Sequence, residues 1–252
     1  MGSLLTARRM VFLCVLCMAC ALPAATLNYT GTGGNLNVAT TDGVTITPGY
    51  TQFFIPVSDL YTVDPGDSVT ITISGLQYPY AGDLQATLSL QQGMSVTSGN
   101  IFDQIGKTSN DPSNPNYYGY DTQFGYSQTI DSGNYVFNSS FTGVANDLWN
   151  TAAGLGSSDS IPSGDYWTSG AFSGGNNDLS RQFAGLLTQG TWVLTIADYY
   201  PPDPAADTPG IISWGLTIQA TPVSGVPEPV AIIPVALSLG LFVWIRRGRS
   251  RV

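Results

Sequence analysis

The sequence predicts an all-β protein, a two-sheet sandwich with long loops that lies between two apolar terminal segments. Three observations predict it. Several segments alternate apolar, often β-branched, residues with small polar ones, which is the period of a strand with one buried face. Turn pairs such as Pro48-Gly49 and Gly82-Asp83 separate these segments. Helical periodicity is nearly absent, and many short strands with little helix are typical of a sandwich.

The first half of the body contains a lead-in segment and four predicted strands. Residues 27–37 are rich in Gly, Asn and Thr and predict a lead-in or edge strand. Short strands are expected over residues 44–46 and 52–57. The strands at residues 68–74 and 84–90 have the clearest alternation, so we expect both in the core.

The middle of the body, residues 98–190, is dominated by Asn, Ser, Gly, Asp and Tyr. It predicts one strand at residues 134–141 and one short helix. The helix places four apolar residues on one face and ends at Gly154 or Gly156; they are Val144, Leu148, Ala152 and Leu155. The loops also carry aromatic side chains, which either pin the loops to the sandwich or stack on sugar rings. These are Tyr117, Tyr118, Tyr120, Phe124, Tyr126, Tyr166 and Trp167.

The last part of the body alternates most regularly. Residues 191–197 and 211–218 predict two strands, which we expect to form a long hairpin across the acidic, proline-rich loop 198–210. Trp192 and Trp214 are the large apolar anchors of these strands. We predict both as structural core residues, each costing several kcal/mol to truncate.

The body between residues 26 and 224 is strongly acidic. It contains Lys107 and Arg181 against sixteen aspartates, a net charge of −14. This charge repels nucleic acid and anionic membrane surfaces, so we predict no nucleic-acid partner. It suits either solubility or Ca²⁺, which prefers carboxylate and carbonyl oxygens.

Two of these aspartates, Asp83 and Asp198, stand at predicted strand ends. A carboxylate there either accepts backbone N–H bonds or binds a metal ion. If calcium binds, Asp83 and Asp198 are the first candidate ligands, and Asp203 and Asp207 in the following loop assist them. Calcium is the one cofactor that the residues suggest.

The chain begins like an exported protein. Arg8 and Arg9 precede an apolar run over residues 10–22 and an Ala-rich end, which predicts a signal peptide over residues 1–25. All three cysteines lie inside it, so a body without the signal has no disulfide and no thiolate site. Cys20 follows Ala19 as a lipoprotein cysteine does, which leaves lipidation as an alternative to simple cleavage.

The chain ends with three parts in a fixed order over residues 226–252. A Pro-Glu-Pro turn comes first, then an uncharged run over residues 230–245, then an arginine cluster. As a helix the run is about 24 Å long, which spans a thin membrane if the arginines snorkel; the alternative is a buried helix with a basic end. The motif residues are Pro227, Glu228, Pro229, Arg246 and Arg247, with Arg249 and Arg251 after them.

This order resembles the PEP-CTERM sorting signal of Gram-negative bacteria. The resemblance implies an exosortase as partner, a membrane anchor through a single transmembrane sorting helix before processing, and cleavage near Pro-Glu-Pro. It also implies export across the inner membrane, followed by release or attachment at the cell surface or in the extracellular matrix.

The body carries a second set of familiar residues. They are Gly82, Asp83, Leu84, Leu88, Phe183, Gly185, Gly190, Thr191, Trp192, Leu194, Asp198, Gly210, Trp214 and Leu216. With them the body resembles the P domain (homo B) that follows the catalytic domain of subtilisin-like proprotein convertases. The resemblance implies a jelly-roll β-sandwich over roughly residues 52–218, and some P domains bind Ca²⁺ at acidic loops. The stretch 101–178 departs from it by being longer and more irregular.

The sequence points away from catalysis. It contains no histidine, which removes Ser-His-Asp and Cys-His sites and histidine-bound zinc. Paired-carboxylate chemistry remains, but no spacing singles out a pair. We therefore expect a non-catalytic surface or matrix protein, not an enzyme. The alternative is a Ca²⁺-assisted, lectin-like module with exopolysaccharide as its candidate partner.

Overall fold

The computed structural model describes residues 24–66, 68–108, 123–124, 133–141, 143, 146–156, 159–170, 177–200 and 209–223. Most of these residues lie in strands, so the predicted all-β fold is confirmed. The strands are β1 (Ala25–Asn35), β2 (Thr40–Thr41), β3 (Ile46–Thr47), β4 (Gly49–Val57), β5 (Tyr61–Val63), β6 (Val69–Leu76), β7 (Leu84–Gln92), β8 (Ser95–Asp103), β9 (Gln123–Phe124), β10 (Gly133–Asn138), β11 (Ser160–Ile161), β12 (Gly164–Tyr166), β13 (Gly190–Asp198) and β14 (Gly210–Pro222).

Helix is scarce in the described residues. Two short α-helices are present, α1 (Leu148–Ala153) and α2 (Leu179–Phe183), and Ala81–Asp83 forms one 3₁₀ turn before β7. The carboxylate of Asp147 caps α1 by accepting N–H bonds from Trp149 and Asn150 at 2.9 and 3.2 Å. Such a cap satisfies donors that the first helical turn leaves free.

Two sheets carry the fold. The larger has the order β1-β14-β6-β10-β12, with β5 also pairing with β14. Along this order the pairs are antiparallel except for the parallel pair β10–β12. The smaller sheet has the order β4-β13-β7-β8 and is antiparallel throughout. Two short strand pairs, β2–β3 and β9–β11, lie outside these sheets.

Alternation along the strands builds the core between the sheets. In β6 the residues Val69, Ile71 and Ile73 are fully buried, whereas the intervening threonines are half-buried. Trp192 of β13 and Trp214 of β14 are 0 % and 1 % exposed and belong to one hydrophobic cluster. Burying apolar surface stabilises a folded protein by about 25 cal/mol per Å², and this is the main favourable contribution to folding.

Of the three predicted loop aromatics that the structure describes, Phe124 and Tyr166 point inward and Trp167 is half-buried. Phe124 and Tyr166 are buried, and the Phe124 ring lies edge-on to Tyr135 with centroids 5.1 Å apart. Tyr166 also packs against Tyr135 and Phe137, each at 6.3 Å. These contacts pin loops to the sandwich. The loop tyrosines 117, 118, 120 and 126 lie outside the described residues.

The predicted hairpin between the last two strands is wrong. β13 pairs with β4 and β7 in the smaller sheet, whereas β14 pairs with β1 and β6 in the larger one. Both strands direct a continuous apolar row into the core, so they face each other across it. The connection after Asp198 therefore passes from one sheet to the other instead of closing a turn.

The middle of the body holds more regular structure than predicted. The predicted helix is real but shorter, beginning at Leu148 and ending before Gly154. The strand β8 and the helix α2 were not predicted from the sequence. Nearly all of the predicted signal peptide and the whole predicted transmembrane segment lie outside the described residues. Among the helices of the described part, none has the length and apolar character needed to cross a membrane.

Candidate functional site

The residues predicted to function from sequence fall into two groups. The sorting residues Pro227, Glu228, Pro229, Arg246 and Arg247 lie outside the described residues, as do the metal candidates Asp203 and Asp207. Asp83 and Asp198 are described, and the structure brings them to the same end of the smaller sheet. Asp198 ends β13 and is the register partner of Leu84, which directly follows Asp83.

Asp198 is buried and holds two separate chain segments. Its Oδ2 accepts the backbone N–H of Ala39 at 2.6 Å, and its Oδ1 accepts that of Tyr200 at 3.0 Å. Its side chain is 1 % exposed. Burial raises the pKa of this carboxyl group above its usual value, and the two N–H donors oppose part of that rise. The carboxylate thus satisfies buried backbone donors at a strand end.

Asp83 supports the same turn through its backbone. Its N–H donates to the Tyr80 carbonyl at 3.1 Å, and its carbonyl accepts the N–H of Tyr199 at 3.0 Å. Asp83 is 6 % exposed. The buried hydroxyl of Tyr78 lies beside both carboxylates and has no hydrogen-bond partner among the described residues. Burial, then the nearby charge of Asp198, raises the pKa of Tyr78.

The described residues contain no group of three Asp, Glu, His or Cys side chains arranged to hold a metal ion. Asp83 and Asp198 are close neighbours in the fold, and Asp198 is engaged with backbone donors. Calcium binding by this pair, assisted by Asp203 and Asp207, stays a prediction.

A different site appears on the outward face of the smaller sheet, which faces away from the core. Register places its side chains in four rows across the strands β4, β13, β7 and β8. The rows are Tyr50–Ala197–Gln85–Asp103, Gln52–Thr195–Thr87–Asn100, Phe54–Val193–Ser89–Ser98 and Pro56–Thr191–Gln91–Val96. We call these sixteen residues the outer face. This face was not predicted from the sequence, although Tyr50, Gln52, Phe54 and Pro56 occupy every second position of β4.

Two aromatic rings stand out on the outer face. Tyr50 is 53 % exposed and Phe54 is 52 % exposed, both on the edge strand β4. Tyr50 lies edge-on to Tyr199, with ring centroids 6.4 Å apart. Exposed aromatic rings on a folded surface mark candidate contact sites.

Polar side chains on the outer face are joined to each other. The Tyr199 hydroxyl donates to Gln85 Oε1 at 2.9 Å, and Gln85 Nε2 donates to Asp103 Oδ2 at 2.8 Å. Asn100 Nδ2 donates to the same oxygen at 3.1 Å, and Asn100 Oδ1 accepts the Thr87 hydroxyl at 3.3 Å. These bonds hold the amide and carboxylate groups in fixed positions.

Charge within this network is concentrated at one end. Burial raises the pKa of Asp103, while its bond from Gln85 and the charge of Lys107 lower it. Burial lowers the pKa of Lys107, and the charges of Asp103 and Asp83 oppose that change. Lys107 Nζ also donates to Gln104 Oε1 at 2.9 Å. One buried cation thus lies near two buried carboxylates.

The opposite end of the smaller sheet carries a groove of about 500 Å³. Gln91 and Thr191 of the outer face line it, together with Leu187 and Gln189. The side-chain amide of Gln92 donates to the carbonyls of Leu187 and Gln189 at 2.9 and 2.7 Å and so fixes one wall. The outer face therefore runs from the tyrosine pair at one end into this groove at the other.

No protein-family model matches the chain, and no curated protein matches it. Among solved structures, the chain is similar to a serine protease of Aeromonas sobria in complex with a chaperone, at 15 % identity and a TM-score of 0.35, over 83 % of this chain and 29 % of that one. A second structure, of a serine protease of Aeromonas sobria, gives 15 % identity and a TM-score of 0.34, over 79 % of this chain and 28 % of that one. The chain thus spans less than a third of those proteins.

Proposed function

We propose that this chain is a non-catalytic, exported surface or matrix protein, with a P-domain-like, jelly-roll β-sandwich body that its terminal segments deliver to the cell envelope. The observation that carries the proposal is the three-part order of residues 226–252, a Pro-Glu-Pro turn, an uncharged apolar run and an arginine cluster. This order fits processing near Glu228 by an exosortase of a Gram-negative bacterium.

The arrangement of the body is compatible with this role. Ala25 at the start of β1 is the register partner of Ala220 in β14, so the first and last residues of the sandwich lie side by side. Both belong to the larger sheet, whereas the outer face belongs to the smaller one. The sandwich thus begins and ends in the same sheet.

The chemistry of the described aspartates supports a non-catalytic body. Asp147, Asp178 and Asp198 all accept backbone N–H bonds, at helix starts or at a strand end. Asp178 also forms an ion pair with Arg181 at 2.9 Å. Carboxylates engaged in this way stabilise the fold. The chain also lacks histidine, the commonest general base near neutral pH.

Fractionation of the native bacterium tests the sorting proposal. Three chains are compared: the full chain, a chain without residues 226–252, and a chain with Pro227, Glu228 and Pro229 replaced by Ala. We expect the full chain to reach the surface with its tail removed. The deletion should lose membrane association, and the triple replacement should remain in the membrane with its tail attached. An unchanged distribution of the deleted chain contradicts the proposal.

A further inference from the structure

We propose that the outer face of the sheet β4-β13-β7-β8 binds a neutral polysaccharide, laid along the strands, without a metal ion. The inference concerns the folded body alone and does not depend on the proposed sorting. The residues that form this site lie on regular strands, which distinguishes it from a calcium-assisted site in the loops.

The two exposed rings are placed to stack on sugars. Tyr50 and Phe54 stand on the same side of β4, four residues apart and therefore about 13 Å apart along the strand. Each ring presents half of its surface to solvent. A sugar ring has an apolar C–H face and a hydroxyl rim, and an aromatic side chain is the protein group that matches the apolar face. Two such rings on one strand give a chain of sugars two stacking positions.

The polar surface beside the rings is suited to sugar hydroxyl groups. Gln52, Gln85 and Asn100 carry amides, which both donate and accept hydrogen bonds as sugar hydroxyl groups do. The bonds from Gln85 and Asn100 to Asp103 orient both amides before any ligand arrives. Gln52 is held more loosely, by a 3.4 Å bond to Thr195 Oγ1. Groups that are ordered in advance lose less entropy on binding, which favours affinity.

The negative charge of the body favours a neutral ligand. The body has a net charge of −14. Lys107, the cation near the outer face, is buried beside Asp103 and Asp83. Anionic glycans, nucleic acids and anionic lipid surfaces are repelled by such a surface. A neutral polysaccharide meets no such penalty.

The length of the face matches a polymer better than a single sugar. β13 runs for nine residues, about 27 Å, through the middle of the face. At one end stand Tyr50 and Tyr199, and at the other the surface continues into the groove beside Gln91 and Thr191. Val193 and Ala197 of β13 and Asp103 of β8 are buried, so the ligand meets each row through its exposed or half-buried members. A chain of several sugars laid parallel to the strands reaches such members in all four rows.

The test is native affinity electrophoresis of the full-length protein in gels that contain one polysaccharide each. The neutral set is a β-glucan, a xylan, a galactomannan and dextran, and alginate serves as the anionic comparison. We expect retardation by at least one neutral polymer, unchanged by a calcium chelator. Tyr50→Ala and Phe54→Ala should each weaken binding by about tenfold or more, as expected for a central aromatic contact.

Ile212→Ala is the matched control, because Ile212 is an apolar residue that is 70 % exposed on β14 of the other sheet. It should bind as the unaltered protein does. Thermal unfolding of each variant separates lost binding from lost folding, and exposed residues of this kind should change stability little. The double variant Tyr50→Ala/Phe54→Ala should then remain folded and fail to bind.

Several results would overturn the proposal. They are no retardation by any neutral polymer, retardation by alginate alone, and binding that the two aromatic variants leave intact. Binding lost with the chelator but not with Tyr50→Ala would assign the ligand to a metal site instead. Sedimentation that shows dimers dependent on Tyr50 and Phe54, without glycan binding, would make the outer face a contact between two copies. None of these results bears on where the chain is sorted.

Discussion

Replacing Asp198 by Ala is the sharpest test of how the body is held together. The change removes a buried carboxylate that accepts N–H bonds from Ala39 and Tyr200. Each such bond to a charged group contributes about 1.5–3 kcal/mol, so the loss of two costs about 3–6 kcal/mol. Removal of a group whose ionised form is disfavoured by burial returns part of this cost. We expect a net loss of about 2–4 kcal/mol in the free energy of unfolding.

Asp198→Asn refines the test. Its carbonyl oxygen still accepts one of the two N–H groups, and the buried charge is gone. We therefore expect a smaller loss in the free energy of unfolding than for Asp198→Ala. Asp165→Ala is the control, because Asp165 is exposed on β12, and it should stay within about 0.5 kcal/mol.

The assay is urea unfolding at pH 7, followed by the fluorescence of the buried tryptophans, with calcium and with excess chelator. If Asp198 serves as a cap, its replacement costs the same in both conditions. If it binds calcium, the cost is larger with the ion, because a ligand stabilises only the state that binds it. A loss below 0.5 kcal/mol for Asp198→Ala, in either condition, would refute the assigned role.

Three further predictions concern stability. Because burial raises the pKa of Asp103 and Asp198, the folded body binds protons more readily than the unfolded chain, so thermal midpoints should rise as pH falls from 7 toward 5. Asp103→Asn should flatten this rise, and an equal slope in both proteins would contradict it. Gly31→Ala should cost about 1–3 kcal/mol in urea unfolding, since its Cβ overlaps the Trp214 indole, whereas Gly34→Ala, with 3.6 Å of clearance, should cost less. Asp147→Ala should cost about 0.5–2 kcal/mol by uncapping α1, as measured by the same unfolding curves, and an unchanged midpoint would speak against the cap.

Strand positions were predictable where one face of a strand meets the core. β6, β7, β13 and β14 alternate apolar and polar residues, and all four were located from that period alone. The pairing of these strands was not predictable. A two-residue period shows which side of a strand faces inward, but it does not show which strand lies alongside. The sequence therefore predicted β13 and β14 as a hairpin, although they lie in opposite sheets.

β8 shows why some strands were missed. Its first half is polar because it lies at a sheet edge, and its second half buries Ile101, Phe102 and Asp103 in succession. A register shift opposite Ala86 and Thr87 inserts an extra residue there, which destroys the alternation. α2 has only five residues, too few for a helical period to be recognised.

The outer face was missed for a related reason. Tyr50 and Phe54 stand at the outward positions of β4, where the search for a core expects polar residues. Such side chains are informative as a group, because single exposed apolar residues are common on protein surfaces whereas clustered ones mark contact sites. The partners of Asp198 could not be predicted either, since Ala39 is distant in sequence and donates only its backbone N–H.

The pairing of β1 with β14 has a consequence for the order of folding. β14 is an interior strand of the larger sheet, and its neighbours β1 and β6 precede it by most of the length of the body. Contacts between such distant segments form slowly, because a long loop must close before they are made. The larger sheet therefore stays incomplete until β14 has paired with β1 and β6. Until then, its earlier strands remain accessible to proteases. Resistance to digestion should appear late and all at once.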